Sequence, residues 1–437
     1  MEIVFFMVKF KKKAREGPKL WTKDFSILTI GSLVSMAGAR ALTISLGLLI
    51  LDLTQSQMYY SIFLAIGNAV GILVPFLIAA RLECWSKEKV IYRLDFATAV
   101  VMFGMVLIYE AGWMSGEIAL LCCICFSLFN KIYDVAFQSF FPKIVDKAVY
   151  PKAYSVSSVV TNIADAAEMM GTLGYKIFGI TPVLLFCGTA FFIAACFETR
   201  LSPEQGLAPK PKQHQFRQTI DDYRNTLRYI KKEQGLVEML VYQFFDSIRI
   251  GAFSALVLPF FKFSEFSFNP FNWDGEYIYV LAMSFYSTGQ FWGCMINYQN
   301  VRRTGRLKLF TVAAVFEILP MALFSFFPLY VGVVAMFITG LLSIVTNCAK
   351  RTVIYERIPP DMVSKYTGCS CSLLACGAIL GNLAAGALAS AMPAQAAFLI
   401  TCSPVLIIYL IMLLTRIKQL RELFSPIVGG WQKTTEE

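Results

Sequence analysis

Histidine is all but missing. The 437 residues contain one, His214, in a polar stretch. A zinc site built from cysteine and histidine is therefore excluded. A proton carried at neutral pH within the apolar segments would have to sit on a carboxylate. Charge is scarce as well, at 16% of residues, against roughly 25% in soluble domains. No GxxxxGK(S/T) loop occurs, so ATP hydrolysis by this chain is not expected. A disulfide framework is missing too. The twelve cysteines lie mostly in apolar runs, such as Cys122, Cys123 and Cys125 or Cys369, Cys371 and Cys376, where they act as small hydrophobes. No metal and no cofactor is expected. A membrane-embedded enzyme would want a tight cluster of His, Asp or Cys at one face, and none is present.

What the chain has in excess is apolar, 57% of it hydrophobic. Apolar runs recur about every 30 residues, each long enough to cross a hydrocarbon core of about 30 Å. Twelve spans are expected, near 25–51, 58–80, 91–110, 117–139, 153–175, 179–198, 236–260, 277–297, 309–328, 330–351, 366–390 and 394–415. The class is an all-α membrane protein.

The net charge of +10 does not point to nucleic acid, because the basic residues sit in short segments between alternate spans. "RLECWSKEKVIYR", "FPKIVDKAVYPK" and "NVRRTGRLK" face one side; "DLTQSQ", "EAGWMSGE" and "FSEFSFNPFNWDGEY" face the other. Only Lys176 and Lys262 lie near that second side. The positive-inside pattern puts both termini in the cytoplasm. The N-terminal "MEIVFFMVKFKKKAREGPKLW" has its apolar stretch before its basic cluster, the reverse of a secretory signal, with translation starting at Met1 or Met7.

The expected organisation is a basic cytoplasmic N-terminus (1–24), a six-span half (25–198), a cytoplasmic linker (199–235), a second six-span half (236–416) and a tail (417–437). In the linker, Phe216, Ile220, Leu227 and Ile230 fall near one face of an amphipathic helix. A weak internal repeat supports the division: "DVAFQSFFPKIVDKAVYPK" (134–152) aligns without gaps to "NCAKRTVIYERIPPDMVSK" (347–365). Duplicated halves are a transporter architecture.

Ionisable residues inside spans are the default functional candidates. Arg40 interrupts "SMAGARALTISLGLLIL" (35–51). Asn162, Asp165 and Glu168 follow one another at three-residue steps in span 5, within an arc of about 120°. Counting residues from the same side puts Arg40, Asp165 and Glu168 at similar depth, near the midplane. One arginine facing two acids leaves a carboxylate uncompensated, so Asp165 and Glu168 are candidate carriers of a coupling proton, with Asp246 next. The alternative is a purely structural ion pair. Arg40, Asn162, Arg249, Lys131, Asp134 and Asn347 are candidates for cavity charge or substrate contact; Asp246 and Arg249 could also simply pair along span 7. Tyr242, Phe244, Phe245, Tyr286, Phe291 and Trp292 could form an aromatic surface for substrate. Glu317 finds no role in the sequence. Gly377, Gly381 and Gly386 suggest close helix packing.

Several segments resemble the macrolide-efflux and siderophore (enterobactin) exporter branch of the major facilitator superfamily. They are "WTKDFSILTIGSLVSMAG" (21–38), "LLILDLTQS" (48–56), Asp134, Ala136 and Pro142 at the exit of span 4, "LPFF" (258–261) and "RRTGRLKL" (302–309). The signature between spans 2 and 3 survives as Ala79, Glu83, Trp85, Lys87 and Lys89, with Asp95 after it; Ala79 and Glu83 replace a glycine and an aspartate. Glu168-Met169 stands where that branch has glycine-proline, and Ala39-Arg40 where span 1 often has an acid and an aromatic.

The resemblance implies two pseudo-symmetric six-helix bundles with spans 1, 4, 7 and 10 lining a central cavity. It implies a cytoplasmic gate drawn from Glu83, Lys87, Lys89, Arg93, Asp95, Arg302, Arg303, Arg306, Lys350 and Arg351. The expected protein is a multi-pass secondary transporter of the cell membrane, working by alternating access as a proton-coupled antiporter. It would export an amphipathic small molecule of drug, macrolide or siderophore type, acting as a monomer, with protons and the lipid bilayer as its other partners. An importer or flippase of a metabolite or lysophospholipid, and a non-transporting sensor or scaffold, are the alternatives.

Overall fold

The computed structural model describes residues 20–82, 85–145, 150–202, 224, 228–233, 235–263, 273–300, 306–323, 329–358 and 363–425. These form twelve long helices: α1 (Lys23–Thr54), α2 (Gln57–Leu82), α3 (Lys87–Glu110), α4 (Gly116–Ile144), α5 (Tyr150–Phe178), α6 (Ile180–Glu198), α7 (Leu236–Phe263), α8 (Gly275–Asn300), α9 (Arg306–Leu323), α10 (Leu329–Arg357), α11 (Val363–Ala391) and α12 (Ala394–Thr415). A short α13 (Ile417–Phe424) follows. Over its described residues, each expected span falls on one long helix. Among the described residues, nine of the twelve contain a stretch long and apolar enough to cross a membrane. The fold is all-α, with no strand among the described residues.

Local chemistry sets the helix ends. Thr22 caps α1, its hydroxyl accepting from the Phe25 N–H at 3.2 Å, and Asp24 sits in the first turn, where the helix dipole favours a negative charge. Ser115 caps α4 in the same way through Ile118 N–H at 3.3 Å. Gly179 divides α5 from α6 at φ +78, a backbone state that side chains disfavour.

The helices group as α1–α6 and α7–α12. In the first bundle α1 packs on α2, α4, α5 and α6; in the second α7 packs on α8, α11 and α12. The halves meet mainly through α2 against α11 and α5 against α8. Glycines set the tight crossings. A methyl group on Gly171 of α5 would collide with the Ala41 backbone of α1, and one on Gly381 of α11 with the Ile248 carbonyl of α7. These crossings occupy equivalent places in the two bundles. Gly377 lies against the Phe244 carbonyl of α7 in the same seam, and Gly386 meets Ser61 and Met58 of α2 across the halves.

Two details differ from the sequence expectation. The segment after α12 is not only a tail: α13 buries Leu420, Leu423 and Phe424, and Phe424 meets the Phe310 ring at 5.2 Å. Eight residues carry too little apolar surface to register as an element until a bundle lies beneath them. The expected linker helix falls mostly outside the described residues; of its four apolar positions only Ile230 is described, and it is buried.

Candidate transport pathway and its charged residues

Ile30, Leu33, Ala37 and Arg40 share the one face of α1 that its neighbours leave uncovered. Arg40 stands there opposite α5, with its Nε 2.9 Å from Asp165 Oδ1 and both side chains about half exposed, at 53% and 51%. One helical turn further along α5, Glu168 turns toward the other half. The Tyr279 hydroxyl of α8 donates to Glu168 Oε1 at 3.2 Å, and Ser284 of α8 donates to Met169 Sδ at 3.1 Å. Arginine, two acids and the seam between the halves therefore meet in one place. Lys131 and Asp134 of α4 pair with each other at 3.1 Å and stay part-exposed, with Gly71 of α2 beside the lysine chain. Asn347 is half-buried on α10. The side chain of Asn162 lies outside the described residues.

The second bundle resolves the Glu317 puzzle. Arg249 bonds Asp246 Oδ1 at 2.6 Å and Glu317 Oε1 at 2.8 Å, and Lys350 reaches Asp246 Oδ2 at 3.0 Å. The four side chains are almost wholly buried. Two acids and two bases sum to zero, which makes their burial tolerable; a lone charge there would cost several kcal/mol, on the order of 3–5. Lys350 also lies 5.8 Å from the Tyr242 ring centre. Tyr242 stacks edge-on with Phe310 at 5.4 Å and Tyr409 at 5.3 Å. The structure thus places Asp246, Arg249, Tyr242 and Lys350 together in the buried interior of the second bundle. Phe291 and Trp292 are exposed.

The rest of the expected gate is divided. Lys89 and Arg93 are exposed, and Lys87 is buried. Asp95 is buried inside the first bundle, where the Ser35 hydroxyl of α1 donates to Oδ2. Glu83, Arg302 and Arg303, and the side chains of Ala79, Arg306 and Arg351, lie outside the described residues.

A cluster that sequence reasoning missed joins the halves at the end of the bundle opposite the termini. Lys262 of α7 bonds Asp52 of α1 at 2.5 Å and approaches Glu276 of α8 at 3.5 Å. Lys176 of α5 bonds Asp274 at 2.8 Å and Glu276 at 3.4 Å. The Tyr175 hydroxyl donates to Asp52 at 2.5 Å. The signal was visible: these two lysines are the exceptions to the charge asymmetry of the loops, and each is matched by an acid across the seam.

Twelve membrane-length helices in two bundles around a charged seam define a major facilitator transporter. The chain belongs to the transmembrane secretion effector family, which matches residues 18–429. Over 274 residues it is 22% identical to the uncharacterized MFS-type transporter YkuC of Bacillus subtilis strain 168, covering 60% of this chain and 62% of that protein's length. Its fold is similar to that of the POT family transporter PepTSo, with a TM-score of 0.68 at 11% identity over 93% of this chain and 99% of the other. The nucleoside transporter NupG gives a TM-score of 0.69 at 14% identity over 89% and 99%. A bacterial homolog of the lysosomal transporter Spinster, solved inward-facing and unoccupied, gives 0.62 at 13% identity over 92% and 95%. At these identities the likeness shows the fold alone.

Proposed function

We propose that this transporter exports an amphipathic small molecule from the cytoplasm in exchange for protons, by alternating access in the cell membrane with both termini inside. The observation that carries the reading is Glu168. It sits beside the Arg40–Asp165 pair and accepts a hydrogen bond from Tyr279 of the opposite half. An acid at the seam between two moving bodies makes its charge state act on their closure. A proton on Glu168 weakens the charge-assisted bond from Tyr279, and its loss restores it. Arg40 is paired with Asp165, and Glu168 is the acid whose charge changes in the cycle. The paired lysines at the far end fit a state closed to the outside and ready to load from the cytoplasm. The family description, a secretion effector, favours export over import.

The test is transport by the full chain in proteoliposomes under an imposed pH gradient, with labelled erythromycin and a catecholate siderophore as probes and a trapped pH dye as second readout. Wild type is expected to move at least one probe against its gradient while protons run the other way. Glu168→Gln is expected to lose gradient-driven accumulation while keeping downhill exchange. Accumulation driven equally well in the variant would overturn the proton assignment. Movement only in the direction of import would overturn export in favour of the importer reading. No probe flux with unchanged probe binding would leave a sensor or scaffold.

A further inference from the structure

Two buried acids of the first bundle, Asp95 and Glu198, have no ion pair with a base among the described residues. Asp95 of α3 is 3% exposed and Glu198, the last residue of α6, is 0% exposed. Each is tied to a hydroxyl from another helix. Ser35 of α1 donates to Asp95, and the Tyr133 hydroxyl of α4 donates to Glu198 Oε1 at 2.8 Å. The other Glu198 oxygen, Oε2, is buried without a hydrogen-bond partner. Beside Asp95 lies a void of about 10 Å³ whose polar lining is Ser35, Asp95, Thr98, Asn130 and Tyr133. That is room for one water-sized guest.

Among the described residues, the charges on the surrounding elements are engaged elsewhere or form no ion pair with these two acids. On α1, Arg40 pairs with Asp165 and Asp24 takes the Ser202 N–H. On α4, Lys131 pairs with Asp134. On α3 itself, Glu88, Lys89 and Arg93 precede Asp95 and form no ion pair with it or with Glu198 among the described residues, and Lys87 is buried with interactions of its own. On α5, Asp165 is held by Arg40 and Glu168 accepts from Tyr279. Two carboxylates placed this deep without a base cost several kcal/mol each as bare ions. The fold nevertheless makes space for them: a methyl group on Gly31 of α1 would lie 2.8 Å from the Glu198 side chain.

We infer that Asp95, Glu198, Ser35 and Tyr133 form a binding site for one monovalent cation, a proton or a sodium ion, within the first bundle. The oxygen-only donor set suits a hard cation, and a proton satisfies the same missing charge. The site lies toward the termini, two turns into α3 and at the end of α6, away from the closed far end. Ser35 is on α1 below Arg40, so occupancy acts on the helix that carries the cavity arginine. Its part in transport rests on the proposed cation coupling; binding itself does not.

The experiment is thermal unfolding of the purified full chain in nanodiscs, in sodium chloride against choline chloride, from mildly acidic to mildly alkaline pH. A folded state that takes up a cation which the unfolded chain does not is stabilised as that cation becomes more abundant. Wild type is expected to unfold at higher temperature in acid in both salts if the guest is a proton, or in sodium over choline at alkaline pH if it is sodium. Asp95→Asn with Glu198→Gln is expected to lose that shift while staying folded, because both changes remove buried charge and keep shape. Asp95→Asn alone gives a second reading should the double variant fold poorly. No shift in wild type, or the same shift in these variants, overturns the site. Loss of the shift in Glu168→Gln instead would also overturn it, while leaving the cavity acid as the coupling group.

Discussion

At the residue scale, the decisive feature is how each buried charge is matched. Arg40 looks anomalous in an apolar run, yet the three-residue steps of span 5 were enough to name Asp165 and Glu168 as its candidate partners, and the structure pairs it with Asp165. Glu317 was not readable, because its partner Arg249 is 68 residues away and the contact exists only once α7 and α9 are folded into one bundle. Glu198 was missed for a related reason: at a helix end it reads as an exposed terminal acid, and only packing against α1 buries it. The four-charge set makes a sharp prediction. Glu317→Gln leaves two buried cations with one acid and is expected to lower stability by about 3 kcal/mol or more. Adding Lys350→Gln restores neutrality and is expected to recover much of the loss. Thermal unfolding of the three proteins in detergent measures this. Equal destabilisation by the single and double changes would show that the charges act separately.

At the scale of the element, helix existence was legible and helix crossing was not. Apolar length and cap chemistry define where α1 or α4 begins, and these are local properties of the chain. The glycines announced close packing without naming the partner. Gly381 was readable as a small residue in a run of small residues; that it meets the Ile248 carbonyl follows only from the fold. Gly171 carried even less signal, yet it makes the equivalent crossing in the first bundle. Gly171→Leu is expected to force α1 and α5 apart, costing about 1–3 kcal/mol or more. Because α1 and α5 carry Arg40 and Asp165, the same change is expected to break that pair and reduce transport more than stability alone requires. Monodispersity, unfolding temperature and flux of the variant check both statements. An unchanged flux in a folded variant would detach the crossing from the site.

For the whole molecule, the two halves are the working parts. Among the described residues, Asp52 with Lys262 and Lys176 with Asp274 and Glu276 join them at the end opposite the termini, and Glu168 with Tyr279 joins them deeper in the seam. The linker and the internal repeat indicated two halves, and the charge asymmetry of the loops indicated an orientation. They did not reveal this latch, because its members come from α1, α5, α7 and α8 and meet only through the pseudo-symmetric arrangement. The halves are expected to separate at this end during the cycle, and these pairs to oppose that opening. Spin labels at Trp113 and Ser390, one in each half near the far end and both exposed, report that separation by double electron–electron resonance, in a background lacking the native cysteines. Wild type is expected to show a predominant short distance. Lys176→Ala with Lys262→Ala is expected to add a longer one. The same single distance in both, with probe and pH gradient present, would show that these pairs do not hold the far end closed.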